Sequence, residues 1–496
     1  MPVAKHAGTR LTLCLAALLL GAASAQANNL DISNVSLTGQ DTVDNFILVQ
    51  FDITWDNSWR ISGADPDNYD AAWVFVKYRV AGGDWMHATL NTSGHTAPSG
   101  SAIDTPGDGK GVFIRRSADG TGMVTFNSVQ LRWNYGADGL ADNETDVEVQ
   151  VLGIEMVYVP EGSFELGSGG TETDHFYEHD GTGTPDKTQT YTVSSEAAII
   201  VGAANGNLFY DFVSGGGGDQ SGPIPAAFPK GFAAFYIQKY EISQGQYAEF
   251  LNLLTSTQAA TRDPGADAMG NNRYTITGSH PSFTASAPDR ACNFLSWADG
   301  AAYADWAGLR PMTELEYEKA SRGTRPPVAD EFAWGTTNLH ASAYTITNDG
   351  QPNATISNPG SGTGNASYDV TDGSLDGPLR VGIFAASFAP PSRQEAGASF
   401  YGVMEMSGNL HERPVTIGNA TGRAYTGTHG DGVLTAGGDA DASMWPGTDE
   451  VGAGFRGGTW ASISSGLRVS GRSSAALVVA PARGTTPGFR AVRSAP

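Results

Sequence analysis

The sequence predicts an α+β protein rich in irregular coil, preceded by an all-β, sandwich-like domain. Glycine occurs 64 times in 496 residues and charged residues make up only 16% of the chain, a composition typical of loop-rich and strand-rich proteins. Strand-like runs are concentrated before about residue 150, and the helix-like runs after it are few and short. A chain of this length can hold two or three domains, each with its own hydrophobic core.

The N-terminal residues are typical of a secretory signal peptide. Lys5 and Arg10 precede the apolar run LTLCLAALLLGAA, and small residues around Ala25 and Ala27 offer cleavage sites. We therefore expect a signal peptide over residues 1–27 and a mature protein that is secreted, periplasmic or associated with the cell envelope. The apolar run is too short for a permanent membrane anchor, and the sequence predicts no transmembrane segment.

Residues 28–150 are predicted to form the β-sandwich-like domain. Turn-forming clusters such as SGADPDN and TPGDGKG separate runs rich in Val, Ile, Phe and Trp. Short strands with turns between them favour a sandwich. The strand-like runs are NFILVQFDITW, AAWVFVKYRV, GVFIRRS and MVTFNSVQLRW.

The net charge and the cysteines exclude several classes of function and structure. A formal net charge of −23 repels phosphate backbones and anionic lipids, so we expect no nucleic-acid partner. Removal of the signal peptide would remove Cys14 and leave Cys292 without a partner for an intrachain disulfide. The apolar context ACNFLSW predicts that Cys292 is buried.

Three helices are predicted in the second domain, residues 153–496. One follows Ser243 in ISQGQYAEFLNLL, another lies in SWADGAAYADWAG before Gly308, and a third follows Thr313 in TELEYEKASRG. Thr313 and Glu316 have capping-box spacing. We therefore interpret the acidic residues at the start of the third helix as capping and helix-dipole partners rather than as a catalytic carboxylate pair.

Seven motifs in the second domain follow one another in the order GIEMVYVPEGSFELGS, FYIQKYEISQGQYAEFLN, SWADGAAYADWAGLRPMTELEYEKASRG, FAWG, YGVMEMSGNLHE, FRGGTW and GFRAVR. Each motif is weak alone, but the ordered series is specific. It closely resembles the formylglycine-generating-enzyme, or sulfatase-modifying-factor, family over residues 153–496. The resemblance implies a C-type-lectin-like fold.

Active members of that family resemble one another in a cysteine pair between the FRGGTW and GFR elements. The pair binds copper and activates oxygen, which oxidises a cysteine of the protein substrate. The matching positions here are Ser464 and Val469. A hydroxyl and an isopropyl group lack the soft thiolates that a copper(I) site needs. The resemblance therefore implies a domain with no catalytic residues and no copper.

An iron-dependent branch of the family uses a histidine cluster supplied by an attached helical domain. The predicted β domain is poor in histidine, and the closest histidine pair of the chain, His175 and His179, lies in DHFYEHD. Two interpretations stay open for this segment: a divalent-ion site whose third ligand is not identified, or a solvated acidic loop.

The resemblance also implies structural calcium beside the Gly-Asn motif. In EMSGNLHE the matching donors are the side chains of Glu405 and Glu412 and the carbonyl oxygens of Gly408 and Leu410. Hard oxygen ligands at this spacing suit calcium.

A second calcium site is expected in the coil between about residues 338 and 399. It would use Asn353 and the Ala354 carbonyl, with Asp376 as a further ligand. So long a coil inside a compact domain is either disordered or held by something such as a bound ion.

The segment between FRGGTW and GFR is framed like part of an enzyme but contains no Cys, His, Asp, Glu, Lys or Tyr, and no Asn. In this it resembles the variable region of proteins that retroelements diversify, many of which use the same lectin-like fold. We interpret Arg468 and Arg472 as scaffold. The predicted ligand-binding residues are Trp460, Ser462, Ile463, Ser464, Ser465, Ser473, Ser474, Ala476, Leu477, Val479, Thr485 and Thr486.

Two origins of this segment stay open: active diversification, and ordinary divergence in a GC-rich genome. The favoured function is secreted, non-catalytic recognition of a protein or cell-surface ligand on a calcium-stabilised scaffold. The first alternative is a formylglycine-generating oxidoreductase acting on a substrate cysteine, against which the missing thiols argue. The second is a structural module of the cell envelope, against which the intact lectin-like frame argues. The sequence predicts no oligomeric state.

Overall fold

The computed structural model describes residues 29–211, 216–478 and 483–496. The predicted signal peptide, residues 1–27, therefore lies outside the described residues. Within these described ranges, no helix has both the length and the apolar character needed to cross a membrane.

The described chain has many strands, few helices and long irregular connections, which confirms the predicted α+β class. The strands are β1 (Asp31–Asp41), β2 (Phe46–Ile61), β3 (Asn68–Val80), β4 (Met86–His87), β5 (Ser101–Asp104), β6 (Val112–Arg116), β7 (Gly120–Trp133), β8 (Val147–Val159), β9 (Phe164–Leu166), β10 (Phe176–His179), β11 (Tyr191–Val193), β12 (Asn207–Tyr210), β13 (Phe235–Gln238), β14 (Ile276–Thr277), β15 (Thr284–Ala285), β16 (Arg310–Pro311), β17 (Ile346–Thr347), β18 (Thr355–Ile356) and β19 (Ala491–Ser494). The helices are α1 (Gln244–Asn252), α2 (Ser256–Arg262), α3 (Trp297–Trp306), α4 (Glu314–Arg322), α5 (Asp369–Asp372), α6 (Ile383–Ala386) and α7 (Ala420–Arg423).

The N-terminal strands form two layers around one hydrophobic core. β1 and β7 pair antiparallel with β2 in one layer, and β6 and β8 pair antiparallel with β3 in the other. Buried and partly buried residues alternate along β2, as expected for a strand with one face on a core. Val49 and Phe51 of β2 share this core with Val74 and Val76 of β3.

Strand β3 is buried on both faces, because it separates two cores. Val74 and Val76 belong to the sandwich core, whereas Trp73 and Phe75 belong to a second core that includes residues of α1 and α3. The indole Nε1 of Trp73 donates a hydrogen bond of 2.8 Å to the carbonyl of Ala307, just after α3.

One sheet joins the sandwich to the second domain. β8 pairs with β3 over Val147–Val157 and with β13 over its last four residues, Met156–Val159. β13 pairs in turn with β19, and β19 with β16. The predicted boundary between residues 150 and 153 lies inside β8, so the chain passes from one part to the other without leaving the sheet.

Local sequence signals correctly placed the three predicted helices. Ser243 caps α1, and its side chain and that of Gln246 form a reciprocal capping box. Thr313 and Glu316 form the predicted capping box of α4. Helix α3 ends at Trp306, and Gly308 follows it with φ +69°, a conformation that favours glycine after a helix end.

The coil between residues 338 and 399 is ordered around a small core of its own. Tyr344, Ile356, Leu379 and Phe384 pack together there. β17 pairs with β18 beside this core, and α6 contributes Phe384 to it. Side-chain packing therefore accounts for the order of this coil.

Candidate functional site

Helix α4 carries two buried carboxylates that meet two buried arginines. Arg456 donates to Glu314 Oε2 at 3.1 Å and to Glu318 Oε1 at 2.7 Å, and Arg472 donates to Glu314 Oε1 at 3.2 Å. Burial would raise the pKa of Glu314, but Arg472 and Arg456 outweigh burial and hold the pKa below its usual value. Glu314 is therefore ionised and tied to both arginines.

The sequence interpretation of the acidic residues in α4 was correct for Glu316 and incomplete for the other two. Glu316 closes the capping box with Thr313. Glu314 and Glu318 instead neutralise arginines, and Arg456 lies 142 residues from Glu314 in the chain. A local capping pattern carries no information about partners so distant.

Arg472 is fixed from several sides, which confirms its interpretation as scaffold. Its guanidinium donates to the Gly217 carbonyl at 3.0 Å and lies over the Tyr210 ring at 3.9 Å from the ring centroid. Its amide donates to the Asp174 carbonyl at 3.0 Å. Arg468 is only partly buried and pairs with the half-buried Asp330 at 2.9 Å.

Between these anchors the chain reaches the surface and lines a cavity of about 410 Å³. Five predicted ligand-binding residues line this recognition cavity: Ser462, Ile463, Ser465, Ser473 and Ser474. Ile463, Ser465 and Ser473 are exposed, and the other two are half-buried. The structure therefore brings together hydroxyl groups from both ends of the segment.

The other predicted residues of the segment lie away from the cavity lining. Ser464 is exposed in a 3-10 turn, Ser464–Leu467, next to the cavity. Trp460 is buried, donates from Nε1 to the Thr485 carbonyl at 3.2 Å and packs with Tyr240 and Leu410. Trp460 is thus a core residue and not, as the sequence predicted, part of the ligand-binding surface.

The predicted positions Ala476, Leu477, Thr485 and Thr486 also fall outside the lining. The Ala476 amide donates to the Gly216 carbonyl, and the Thr486 carbonyl accepts from the His411 amide. Leu477 is half-buried. Val479 lies outside the described residues.

The sequence did not predict the residues from other parts of the chain that line the recognition cavity. Glu172 and Asp174, almost three hundred residues earlier in the chain, form part of the wall, and His411 and Phe455 lie in the lining as well. The acidic DHFYEHD segment was the available signal for Asp174. Nothing in its spacing connects it to the C-terminal segment.

The recognition cavity combines neutral hydroxyls with an acidic edge at Glu172 and Asp174 and with the partly exposed guanidinium of Arg468. Burial would raise the pKa of Glu172, but backbone hydrogen bonds, first that from the Asp330 amide, lower it below its usual value. Burial lowers the pKa of His411 to about 4, so the imidazole is neutral at physiological pH. Such a lining can exchange hydrogen bonds with a ligand and favours positive charge at the Glu172 edge.

The two positions that match the family's copper-binding cysteines differ from each other in burial. Val469 is fully buried and packs with Tyr317 and Met406, whereas Ser464 is exposed. The single described thiol, Cys292, is fully buried in another core cluster, and burial raises its pKa well above the usual value. A protonated, buried thiol is a poor nucleophile.

Both predicted calcium-binding glutamates are buried and keep one oxygen free among the described residues. Glu405 Oε1 accepts from the Gly382 amide at 2.8 Å, and Glu412 Oε1 accepts from Arg490 Nε at 2.8 Å. The Oε2 atom of each is buried without a hydrogen-bond partner. Burial raises the pKa of Glu405 to about 7. Two unsatisfied hard oxygens fit a divalent cation of the calcium type.

The sequence missed a third buried carboxylate in this region, Glu241. Its Oε1 accepts from the Leu410 amide at 2.8 Å, and its Oε2 accepts from the side-chain amide of Asn409. Burial, followed by the Glu412 charge, raises the pKa of Glu241 well above its usual value. Glu241 therefore fixes the Gly-Asn loop that carries the Gly408 and Leu410 carbonyls.

The residues of the second expected calcium site lie in different surroundings. Asn353 and Asp376 are exposed and Ala354 is buried in the coil core, while the Asp376 carbonyl accepts from the Asn272 side chain. Within the described ranges, the group of three acidic or histidine side chains whose ligand atoms lie within 4.8 Å of one another is a different one. It comprises Asp305, Asp431 and Asp441.

The histidine pair of DHFYEHD lies in the interior, so the solvated-loop interpretation was wrong. His175 Nδ1 lies 2.6 Å from the Glu172 carbonyl, and Nε2 lies 2.9 Å from the Lys187 carbonyl. His179 is buried on β10, and its Nδ1 accepts from the Gly181 amide at 2.9 Å. These bonds leave His175 with no free ring nitrogen for a metal.

The family model of the sulfatase-modifying factor enzyme 1-like domain matches residues 143–495, more than half of the chain. The chain belongs to this family. Among solved structures, the domain is similar to variable protein 1 of Treponema denticola, with 16% identity and a TM-score of 0.30 over 69% of this chain and 96% of that one. No curated protein matches the chain.

Removing one partner of the buried ion pairs should destabilise the domain strongly. Glu314→Gln leaves Arg456 and Arg472 buried with weakened partners, and we expect a loss of about 3–5 kcal/mol in the free energy of unfolding. Urea denaturation measures this loss. The control, Asp330→Asn, removes the partner of Arg468 in a partly solvated pair and should cost about 1 kcal/mol or less. Equal losses in the two variants would contradict the role given to the buried pair.

The difference in unfolding free energy between the wild type and Glu314→Gln should also depend on pH. Because the arginines hold the pKa of Glu314 below its unfolded value, its contribution is fully present above the unfolded pKa. It is lost as the pH falls through the folded pKa. The difference in unfolding free energy between the wild type and Glu314→Gln should therefore narrow in acid. A constant difference at all pH values would be inconsistent with a charge effect.

Proposed function

We propose that this protein is a secreted, non-catalytic recognition protein that binds a protein or cell-surface ligand in the recognition cavity. The observation that carries the proposal is the contrast along the C-terminal segment. Arg456, Val469 and Arg472 are fully or almost fully buried, whereas most residues between and beside them that line the cavity are exposed or half-buried. Fixed anchors with accessible side chains between them are typical of binding loops on a rigid scaffold.

The chemistry of the lining supports binding rather than catalysis. Ser462, Ser465, Ser473 and Ser474 supply hydroxyls that both donate and accept hydrogen bonds. His411 is neutral, and its Nδ1 lies 3.4 Å from the Arg456 carbonyl. With neither thiol of the family's copper site at positions 464 and 469, the segment offers shape and hydrogen bonds to a ligand.

Diversification of the segment is compatible with this arrangement. Ser462, Ile463, Ser465, Ser473 and Ser474 can change side chain without removing a buried contact of Arg456 or Arg472. A changing face on a constant frame would therefore alter the ligand and preserve the fold. The proposal places the protein outside the cytoplasm on the strength of the predicted signal peptide.

Structural calcium forms the second part of the proposal. Glu405 and Glu412 would hold the ion through their free Oε2 atoms, together with the carbonyls of Gly408 and Leu410. The ion would neutralise buried carboxylates and stabilise the Gly-Asn loop, where the Glu412 backbone pairs with that of Arg456 in the FRGG motif. It has no role in a reaction.

An enzymatic assay distinguishes the recognition proposal from the oxidoreductase alternative. We expect no aldehyde when the purified protein is incubated with a CxPxR peptide, copper and oxygen, because no thiolate pair is present at positions 464 and 469. Mass spectrometry of the peptide measures conversion, and an active family member serves as the positive control. Aldehyde formed at a rate that depends on the protein would overturn the non-catalytic proposal.

Calcium should stabilise the domain through Glu405 and Glu412. At a calcium concentration about a hundredfold above the Kd we expect the melting temperature to rise by about 5 °C relative to EDTA. Glu405→Gln and Glu412→Ala should lose this rise, and Glu161→Gln, which changes an exposed glutamate, should keep it. A calcium response that survives both buried substitutions would contradict the assignment.

A further inference from the structure

A second, larger cavity of about 830 Å³ lies where the β-sandwich meets the family domain. The sandwich contributes Trp59 and Asn68, and the family domain contributes Tyr240, Phe400 and Tyr401. Its volume is in the range of sites that bind small molecules, and most of its walls are apolar or aromatic. It shares no lining residue with the recognition cavity.

This cavity between the sandwich and the family domain, called the seam cavity below, is lined by positively charged residues although the chain as a whole is negatively charged. The net charge of the protein is −23, yet the described lining contains Lys239, Arg380 and Arg393 and no Asp or Glu. Lys239 is neutralised within the protein, since its Nζ lies 3.1 Å from Glu155 and 3.5 Å from Asp70. The side chain of Arg393 donates to a carbonyl at 2.8 Å.

Arg380 differs from the other two cations. Its guanidinium makes no ion pair or side-chain hydrogen bond with the described residues, and its Nε is buried without an acceptor. The Arg380 charge opposes the rise in the pKa of the buried Glu405 carboxyl and of the Tyr240 hydroxyl, but no carboxylate among the described residues is hydrogen-bonded to it. A half-buried guanidinium without such a partner can bind an anionic group of a ligand.

The aromatic walls are held in place by the protein. Gly382 has φ +68°, and a side chain there would meet the Tyr240 ring at 2.8 Å. Gly402 has φ +91° and lies against the Trp59 indole, at 3.0 Å from where a Cβ would be. Lys239 Nζ lies 4.9 Å from the centroid of the Trp59 ring. The cavity is therefore formed in advance of any ligand.

We propose that the seam cavity binds a small amphipathic carboxylate. The apolar body of the ligand packs against Trp59, Tyr240 and Phe400, and the carboxylate pairs with Arg380 through two parallel hydrogen bonds. The sandwich thereby supplies part of a ligand site. This site is separate from the recognition cavity, and its occupancy does not depend on the recognition function.

A fluorescence titration of the full mature chain with 11-(dansylamino)undecanoate tests the proposal. We expect saturable binding to one site with a blue-shifted emission. Undecanoate should displace the probe about tenfold better than undecanol, because the alcohol lacks the charge that pairs with Arg380. This comparison uses the native protein, so it does not depend on the folding of a variant.

Two substitutions and a matched control locate the site. Arg380→Gln should weaken probe binding about tenfold, and Ala385→Trp, which fills the cavity from α6, should abolish it. Arg468→Gln removes one positive charge at the recognition cavity instead and should leave the affinity unchanged. Absence of saturable binding, equal displacement by undecanoate and undecanol, or an affinity unaffected by Arg380→Gln and Ala385→Trp would each overturn the proposal.

Discussion

The buried pairing of Arg456 and Arg472 with Glu314 and Glu318 is the constraint on which the recognition cavity depends. All four side chains are fully or nearly fully removed from solvent, and charges in such surroundings are tolerated only when partners meet them in good geometry. The pairing fixes two points of the C-terminal segment on helix α4. The chain between those points is free to reach the surface, so its exposed side chains contribute little to the fold. The buried residues that hold the segment are therefore different from the exposed residues that line the recognition cavity.

The sheet shared by the two parts of the chain also fixes the N-terminal half against the family domain. Because β8 pairs with both β3 and β13, the sandwich and the family domain are held against each other by backbone hydrogen bonds and by Trp73. Because the two parts are joined rigidly, a cavity between them keeps its shape. The seam cavity, with Trp59 on one side and Tyr240 on the other, is a result of that rigid junction.

Local signals in the sequence predicted the local structure well. The capping residues Ser243 and Thr313 and the alternating pattern of β2 depend on neighbours within a few positions, so they could be identified from the sequence alone. The family motifs predicted the fold, and five serine and isoleucine positions that line the recognition cavity followed from the composition of one segment. The partners of Glu314 could not be predicted, because they lie 142 and 158 residues away. The acidic wall at Glu172, the burial of Trp460 and the course of β8 through the expected boundary likewise depend on tertiary packing.

Buried anchors, and not the exposed side chains, hold the C-terminal segment on the scaffold. The most direct measurement compares two libraries displayed on yeast, one randomised at Ser462, Ile463, Ser465, Ser473 and Ser474, and the other at Arg456, Val469 and Arg472. Protease resistance reports the folded fraction of each library. We expect most members of the first library to remain folded and few members of the second. Equal loss of folded protein in both libraries would contradict the role of the buried anchors.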